Sequence, residues 1–212
     1  MRIAYDGQIF SLQKHGGISR YFVELVQNLA QRPDVEPTVI APVFINQYLL
    51  RAGVRERVRG SFFPYEFRGN AKVARTLNRV LSPLYWAGRH FDIVHETYYS
   101  PVAWGRGRVR VLTIYDMIHE LFPGDFPDTA QVTEAKRAAA SRADHIICIS
   151  ETTRQDAIRL LGMAPERSSV IYLGCSLDAP GAPAPRQDEL PPCILYVGVR
   201  SGYKNFQVLL EA

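Results

Sequence analysis

An aspartate and a histidine, Asp116 and His119, follow directly on the apolar, β-branched run Val111-Leu112-Thr113-Ile114. Such a run marks a strand buried on both faces. In an open α/β sheet, ligands bind beyond the carboxyl ends of the strands, where a carboxylate and an imidazole can hold hydroxyl groups or exchange protons. A second strand-like run, Phe91 to Val94, also ends on titratable residues, His95 and Glu96, and Tyr115 stands directly before Asp116. The bland reading of each is structural. Asp116 then caps the turn after its strand, His119 packs beneath Phe122, and His95 is a satisfied core histidine.

The second chemical feature is Gly16-Gly17. It closes a loop from Ser11 to Gly17 that follows a first strand, Arg2 to Tyr5, and precedes Ile18, Tyr21, Phe22, Leu25 and Leu29 at helical spacing. Glycines at that point let backbone approach a phosphate, and the helix N-terminus presents N–H groups to an anion. The loop is too long for the dinucleotide GxGxxG fingerprint, which argues against a nicotinamide dehydrogenase. A plain flexible turn is the alternative, and His15 reads as a solvated loop residue.

Strands and helices that position these groups alternate along the chain. Glu36 to Ala41 reads as a strand. Asn46 to Gly53 and Ala71 to Gly88 read as helices, the second kinked or split at Pro83. Thr129 to Arg142 reads as a helix and Ala143 to Ile149 as a buried strand. Ser150 or Thr152 is placed to cap a helix over Arg154 to Leu161, ended by Gly162, with Glu151 beside the cap. Ser169 to Leu173 reads as a last short strand. This order predicts an α/β fold with a Rossmann-like, doubly wound, mostly parallel sheet.

Composition sets outer limits. Of 212 residues, 47% are hydrophobic and 22% charged, as in ordinary globular proteins. Cys148, Cys175 and Cys193 have no CxxC spacing and read as reduced, structural thiols, not a metal or disulfide framework. No apolar run approaches the roughly 20 residues of a membrane span, and no signal peptide opens the chain, which points to the cytoplasm. From Arg51 to Arg110, twelve Lys or Arg face four acids, so this segment carries +8 and the remainder −4 of a net +4. Phe62, Phe63, Tyr65, Phe67, Tyr85, Trp86 and Trp104 are interleaved with it. Basic-aromatic surfaces meet nucleic acid or anionic membrane. No nucleic-acid motif accompanies this one, so peripheral contact with the inner face of the cytoplasmic membrane is the functional reading, and a solvated basic face the structural one.

The segment 175–192 is rich in proline and lacks periodicity, the composition of a linker. Beyond it, 193–197 (CILYV) reads as a fresh buried strand, and 203–212 as the start of an amphipathic helix. One strand and half a helix cannot bury their own apolar faces. The expectation is an N-terminal domain over 1–174, a linker over 175–192, and the truncated start of a second domain over 193–212. A tail pairing with a second copy of the chain is the alternative.

HGGISRY after the first strand, DIVHETYY, VLTIYDMIHELFP, HIICISETT, VIYLG before the linker and YVGVRSGYKN after it occur in an order that resembles the retaining GT-B glycosyltransferases of the family-four group. The resemblance spans nearly the whole chain. It implies that Arg200 and Lys204 grip a nucleotide diphosphate, that Gly16 and Gly17 lie against the donor phosphate, and that Ser150 and Glu151 line the cleft rim. Asp116 and His119 would be catalytic, with His95 and Tyr115 in contact with substrate. Tyr115 stands where many relatives carry histidine, and His119 would reach the donor sugar instead. The paired glutamates of the family fall beyond Ala212.

The implied reaction is front-face displacement with retention, without metal or cofactor. A nucleotide-diphosphate sugar is co-substrate, GDP-mannose favoured, and the acceptor is lipid-linked or an oligosaccharide of surface polysaccharide synthesis. The chain by itself is then expected to be inactive. A non-catalytic half-enzyme needing a partner chain and a nucleotide-sugar epimerase are the rival functions.

Overall fold

The computed structural model describes residues 1–175, 193–198, 200 and 205–211. Seven strands form one sheet: β1 (Arg2–Asp6), β2 (Glu36–Phe44), β3 (Val58–Phe62), β4 (His90–Glu96), β5 (Arg106–Ile114), β6 (His145–Cys148) and β7 (Ser168–Val170). Their order is β3-β2-β1-β4-β5-β6-β7, and every pairing is parallel. The α/β, Rossmann-like expectation therefore holds.

The helices are α1 (Gln8–Leu12), α2 (Gly17–Leu29), α3 (Asn70–Trp86), α4 (Ile118–Leu121), α5 (Thr129–Arg142), α6 (Glu151–Leu161) and α7 (Phe206–Glu211). Phe22, Val23 and Val26 of α2 pack on Tyr5, Val39 and Ala41 of the sheet. Ala139 and Ala140 of α5 and Ala157 of α6 join Leu112, Ile114, Ile146 and Cys148 in a second core. A third, around Trp86 of α3, holds Ala4, Ile40, Phe91 and Val94. Alternate residues of one strand thus feed different cores, as the pleat requires. The alanines let α5 approach the sheet closely.

Four local expectations need correction. Pro83 does not split α3, which runs on to Trp86; the lost hydrogen bond falls in the last turn, where little helix remains to be disturbed. Residues 46–53 hold only a short 3-10 turn, Tyr48–Leu50. The loop expected from Ser11 begins inside helix α1, and strand β3 lies in a stretch to which the sequence reading assigns no element. In β3, Gly60 has φ +149°, and a side chain there would collide with the Ala41 carbonyl, so glycine allows the edge strand to close on β2. Lastly, among the described residues 193–197 pair with no strand, and Ile194, Leu195 and Val197 are exposed.

Candidate functional site

From β1 the chain moves outward through β2 and β3, and it then crosses to β4 and proceeds the other way. The switch point lies between the carboxyl ends of β1 and β4, the position where such sheets open a ligand crevice. Asp6 ends β1 there and is buried. Its Oδ1 accepts the Thr97 hydroxyl at 2.5 Å and the Thr97 N–H at 3.0 Å, while Oδ2 accepts the Gln8 amide at 2.8 Å. Burial, with the nearby Glu96 charge adding to it, pushes the Asp6 carboxyl up to about 6. Thr97 Oγ1 also accepts the Ile9 N–H. Asp6 thus ties the two strand ends together and fixes the start of the loop that carries the glycines.

That loop closes on α2. Gln13 turns its side-chain oxygen back to accept the Ser19 N–H at 3.3 Å, and the Ser19 hydroxyl donates to the Gly16 carbonyl at 3.0 Å. A Cβ on Gly16 would displace the Gln13 side chain, whereas a Cβ on Gly17 would meet nothing within 4 Å. Gly17 therefore leaves open space at the mouth of a 13-residue helix. The N–H groups of Gly17 and Ile18 have no intrahelical partner by position.

His95 lies behind this helix, buried between Tyr5 and Phe22, with ring centroids 5.5 and 5.1 Å away. Its Nε2 sits 2.8 Å from Thr113 Oγ1. Burial drives its pKa down to about 3, so the ring stays neutral and fills the core. Tyr115 points the same way, edge-on to Tyr21 and Phe22. Its hydroxyl is buried, and burial, with nearby Tyr99 and Tyr21, holds its pKa well above the usual range. Tyr115 and His95 thus share one cluster with the glycine-loop helix.

Asp116 and His119 take different directions. Asp116 Oδ1 accepts the Ile118 N–H at 3.3 Å, and its carbonyl accepts Lys136 Nζ at 3.0 Å. His119 packs on Phe126, with centroids 4.5 Å apart and Nε2 3.9 Å from Asp128 Oδ1. It borders a cavity of about 410 Å³ between α4 and α5 that is also lined by Glu120, Thr133 and Arg137. No described contact joins His119 to the glycine loop.

Ser150 is the N-cap of α6; its hydroxyl accepts the Thr153 N–H at 3.1 Å. Glu151 is exposed and pairs with Arg154 at 3.2 Å. Arg200 lies over the Phe206 ring at 5.2 Å, and Lys204 falls outside the described residues.

Three buried polar contacts were not anticipated from sequence. Asp6 is one. Glu96 is another: Arg142 grips both its oxygens, at 2.9 and 2.6 Å, and Arg110 adds a contact at 2.8 Å, so it braces β4 against β5 and α5. The third is Lys136, fully buried and 2.7 Å from Glu120. Among the described residues, no group of three or more His, Cys, Asp or Glu is placed to hold a metal.

A parallel sheet with a topological switch, and a glycine loop running into a helix at that switch, define a Rossmann-like α/β domain. Residues 15–179 match the model of Glycosyltransferase Family 4, and the chain belongs to that family. The fold is also that of the solved "lipopolysaccharide outer core galactosyltransferase WaaB apo form", at a TM-score of 0.50 and 14% identity. The match covers 89% of this chain and 50% of that one, so the chain spans about half of its length. No curated protein matches.

Proposed function

We propose that this chain is the acceptor-side domain of a retaining glycosyltransferase. The reaction moves a hexose from a nucleotide-diphosphate sugar, with GDP-mannose the favoured donor, to a lipid-linked or oligosaccharide acceptor at the cytoplasmic membrane face. Membership of the family supports transfer chemistry. The observation that carries the site is Gly17. Beside Gly17 the helix N-terminus is open: Gln13 caps the Ser19 N–H, while the Gly17 and Ile18 N–H groups have no intrahelical partner and a diphosphate can approach them. Charge developing on the leaving diphosphate would be met there by fixed dipoles, together with Arg200 and Lys204.

Asp6 acts indirectly, by holding the loop in place. His95 is a neutral core residue that sets the position of α2. The geometry favours a backbone anion site over acid–base chemistry by His119, because His119 faces Phe126 and Asp128. A non-catalytic half-enzyme that needs a partner chain is the rival reading.

Product analysis tests it. The gene product is incubated with a panel of nucleotide sugars, with and without a lipid-linked acceptor. Transfer that depends on acceptor and retains anomeric configuration supports the reading. Conversion of UDP-N-acetylglucosamine without acceptor would make the protein an epimerase, and inversion of configuration would remove the front-face mechanism.

A further inference from the structure

Helix α3 presents two ridges of opposite character. Val73, Leu77, Val80 and Leu84 follow at spacings of four, three and four, which places them on one line along the helix. All four are exposed, Val80 and Leu84 at 69% and 71%. Lys72, Arg75 and Arg79 form another exposed ridge. No Asp or Glu occurs from Phe67 to Phe91, while Arg68, Lys72, Arg75, Arg79 and Arg89 do. Tyr65 and Phe67, both exposed, extend the apolar surface past the helix N-terminus.

The opposite side of α3 is anchored. Asn78 donates to Ser11 Oγ at 2.6 Å and to the Val43 carbonyl at 2.7 Å, and its Oδ1 accepts the Val43 N–H at 2.7 Å. Ala74, Ser82 and Trp86 are buried. The exposed apolar residues are therefore held outward and cannot turn in to complete the core.

We infer that α3 is the surface by which this protein lies on an anionic lipid bilayer, with the valine–leucine ridge entering the headgroup boundary and the arginine–lysine ridge meeting lipid phosphates. An exposed apolar line beside a ridge of one charge sign is the pattern of an interfacial helix. Long cationic side chains can keep their heads at the phosphates while their stems lie along the apolar surface. A protein partner of matching shape would need acids facing Lys72, Arg75 and Arg79, and a second copy pairing through the same helix offers cations instead. The aromatics Trp86 and Phe91 take no part, since both are buried. The surface lies outside the phosphate site, and the inference stands whether or not the transferase reading does. Through Asn78 the inner side of the helix is pinned to Ser11 of α1, the element that precedes Gly16-Gly17.

The test is co-sedimentation of the chain with vesicles of phosphatidylcholine alone and of phosphatidylcholine with one-quarter phosphatidylglycerol. Binding to the anionic vesicles only, falling as salt rises, is expected. Val80→Asp with Leu84→Asp should abolish it, and each of Lys72→Glu, Arg75→Glu and Arg79→Glu should weaken it by about fivefold or more. Because these side chains are exposed, the thermal midpoint serves as a folding control and should stay within about 2 °C. Absence of binding, equal binding to both vesicles, or binding that survives the double aspartate change would overturn the inference. So would a concentration-dependent dimer abolished by the same change, which would make α3 a contact between copies.

Discussion

Replacing Asp6 with asparagine should expose two proton linkages that cancel in the parent protein. The native Asp6 carboxyl titrates near 6, against an ordinary value of 3.8. Between those limits the native state holds one proton more than the unfolded state, and stability falls as pH rises. Native His95 titrates near 3, against an ordinary value of 6.5. From about pH 3 to 6.5 the unfolded state holds the extra proton, and stability rises with pH. Each slope is about 1.4 kcal/mol per pH unit, so from pH 4 to 6 they oppose one another.

The Asp6→Asn side chain keeps an oxygen for the Thr97 contacts and, after a flip of the Gln8 amide, a donor for Gln8. It carries no charge to bury. The difference in unfolding free energy, variant minus parent, should therefore grow by about 1.4 kcal/mol per unit, reaching roughly 3 kcal/mol between pH 4 and 6. Urea titrations at half-unit pH intervals measure it, with a common m value required of both proteins. Because the other titrating groups contribute to both curves, their shape drops out of the difference. Parallel curves across this range would show that Asp6 is an ordinary ionised carboxylate, and the assigned strand-end lock would be wrong.

Three further outcomes are expected. Gly17→Ala should raise stability by ~0.4–1 kcal/mol, since the methyl meets open space and restricts the unfolded chain, yet it should weaken nucleotide-sugar binding roughly tenfold by standing before the backbone N–H groups; calorimetry of unfolding and of binding reads the two effects separately. Lys136→Met strands the buried Glu120 carboxylate and should cost about 3–5 kcal/mol, most of it regained in the double change with Glu120→Gln, as a double-mutant cycle in urea would report. Ser150→Ala removes the α6 cap and should cost about 1 kcal/mol with donor affinity intact; a matching fall in affinity would give Ser150 the ligand contact that the family resemblance implies.

Much of the sheet was legible because its central strands end in mostly apolar, fully buried runs, as in Leu112 to Ile114. Edge strand β3, with Arg59 and Gly60 at its centre, has no such run, and its existence depends on Ala41 in the neighbouring strand. Periodicity showed that α3 has an apolar line but not what lies against it. Asn78, at the level of Leu77 and Val80, turns out to face the fold while they face outward. At the site, the glycine loop could be read because its signal is local. The Asp6–Thr97 lock joins residues 91 positions apart, and Glu96, Arg110 and Arg142 are brought together only by the sheet and α5. The surroundings of His119 were hidden for the same reason: three residues after Asp116 places it near the strand end, but the ring it packs on, Phe126, lies on the following turn.

The most direct test of the phosphate site is an amide chemical-shift titration of the ¹⁵N-labelled protein with GDP and GDP-mannose, carried to millimolar ligand. The expected result is that the largest shifts fall on Gly16, Gly17 and Ile18, and that they are lost in Gly17→Ala. Shifts confined to the His119–Arg137 cavity, or unchanged by that substitution, would contradict it.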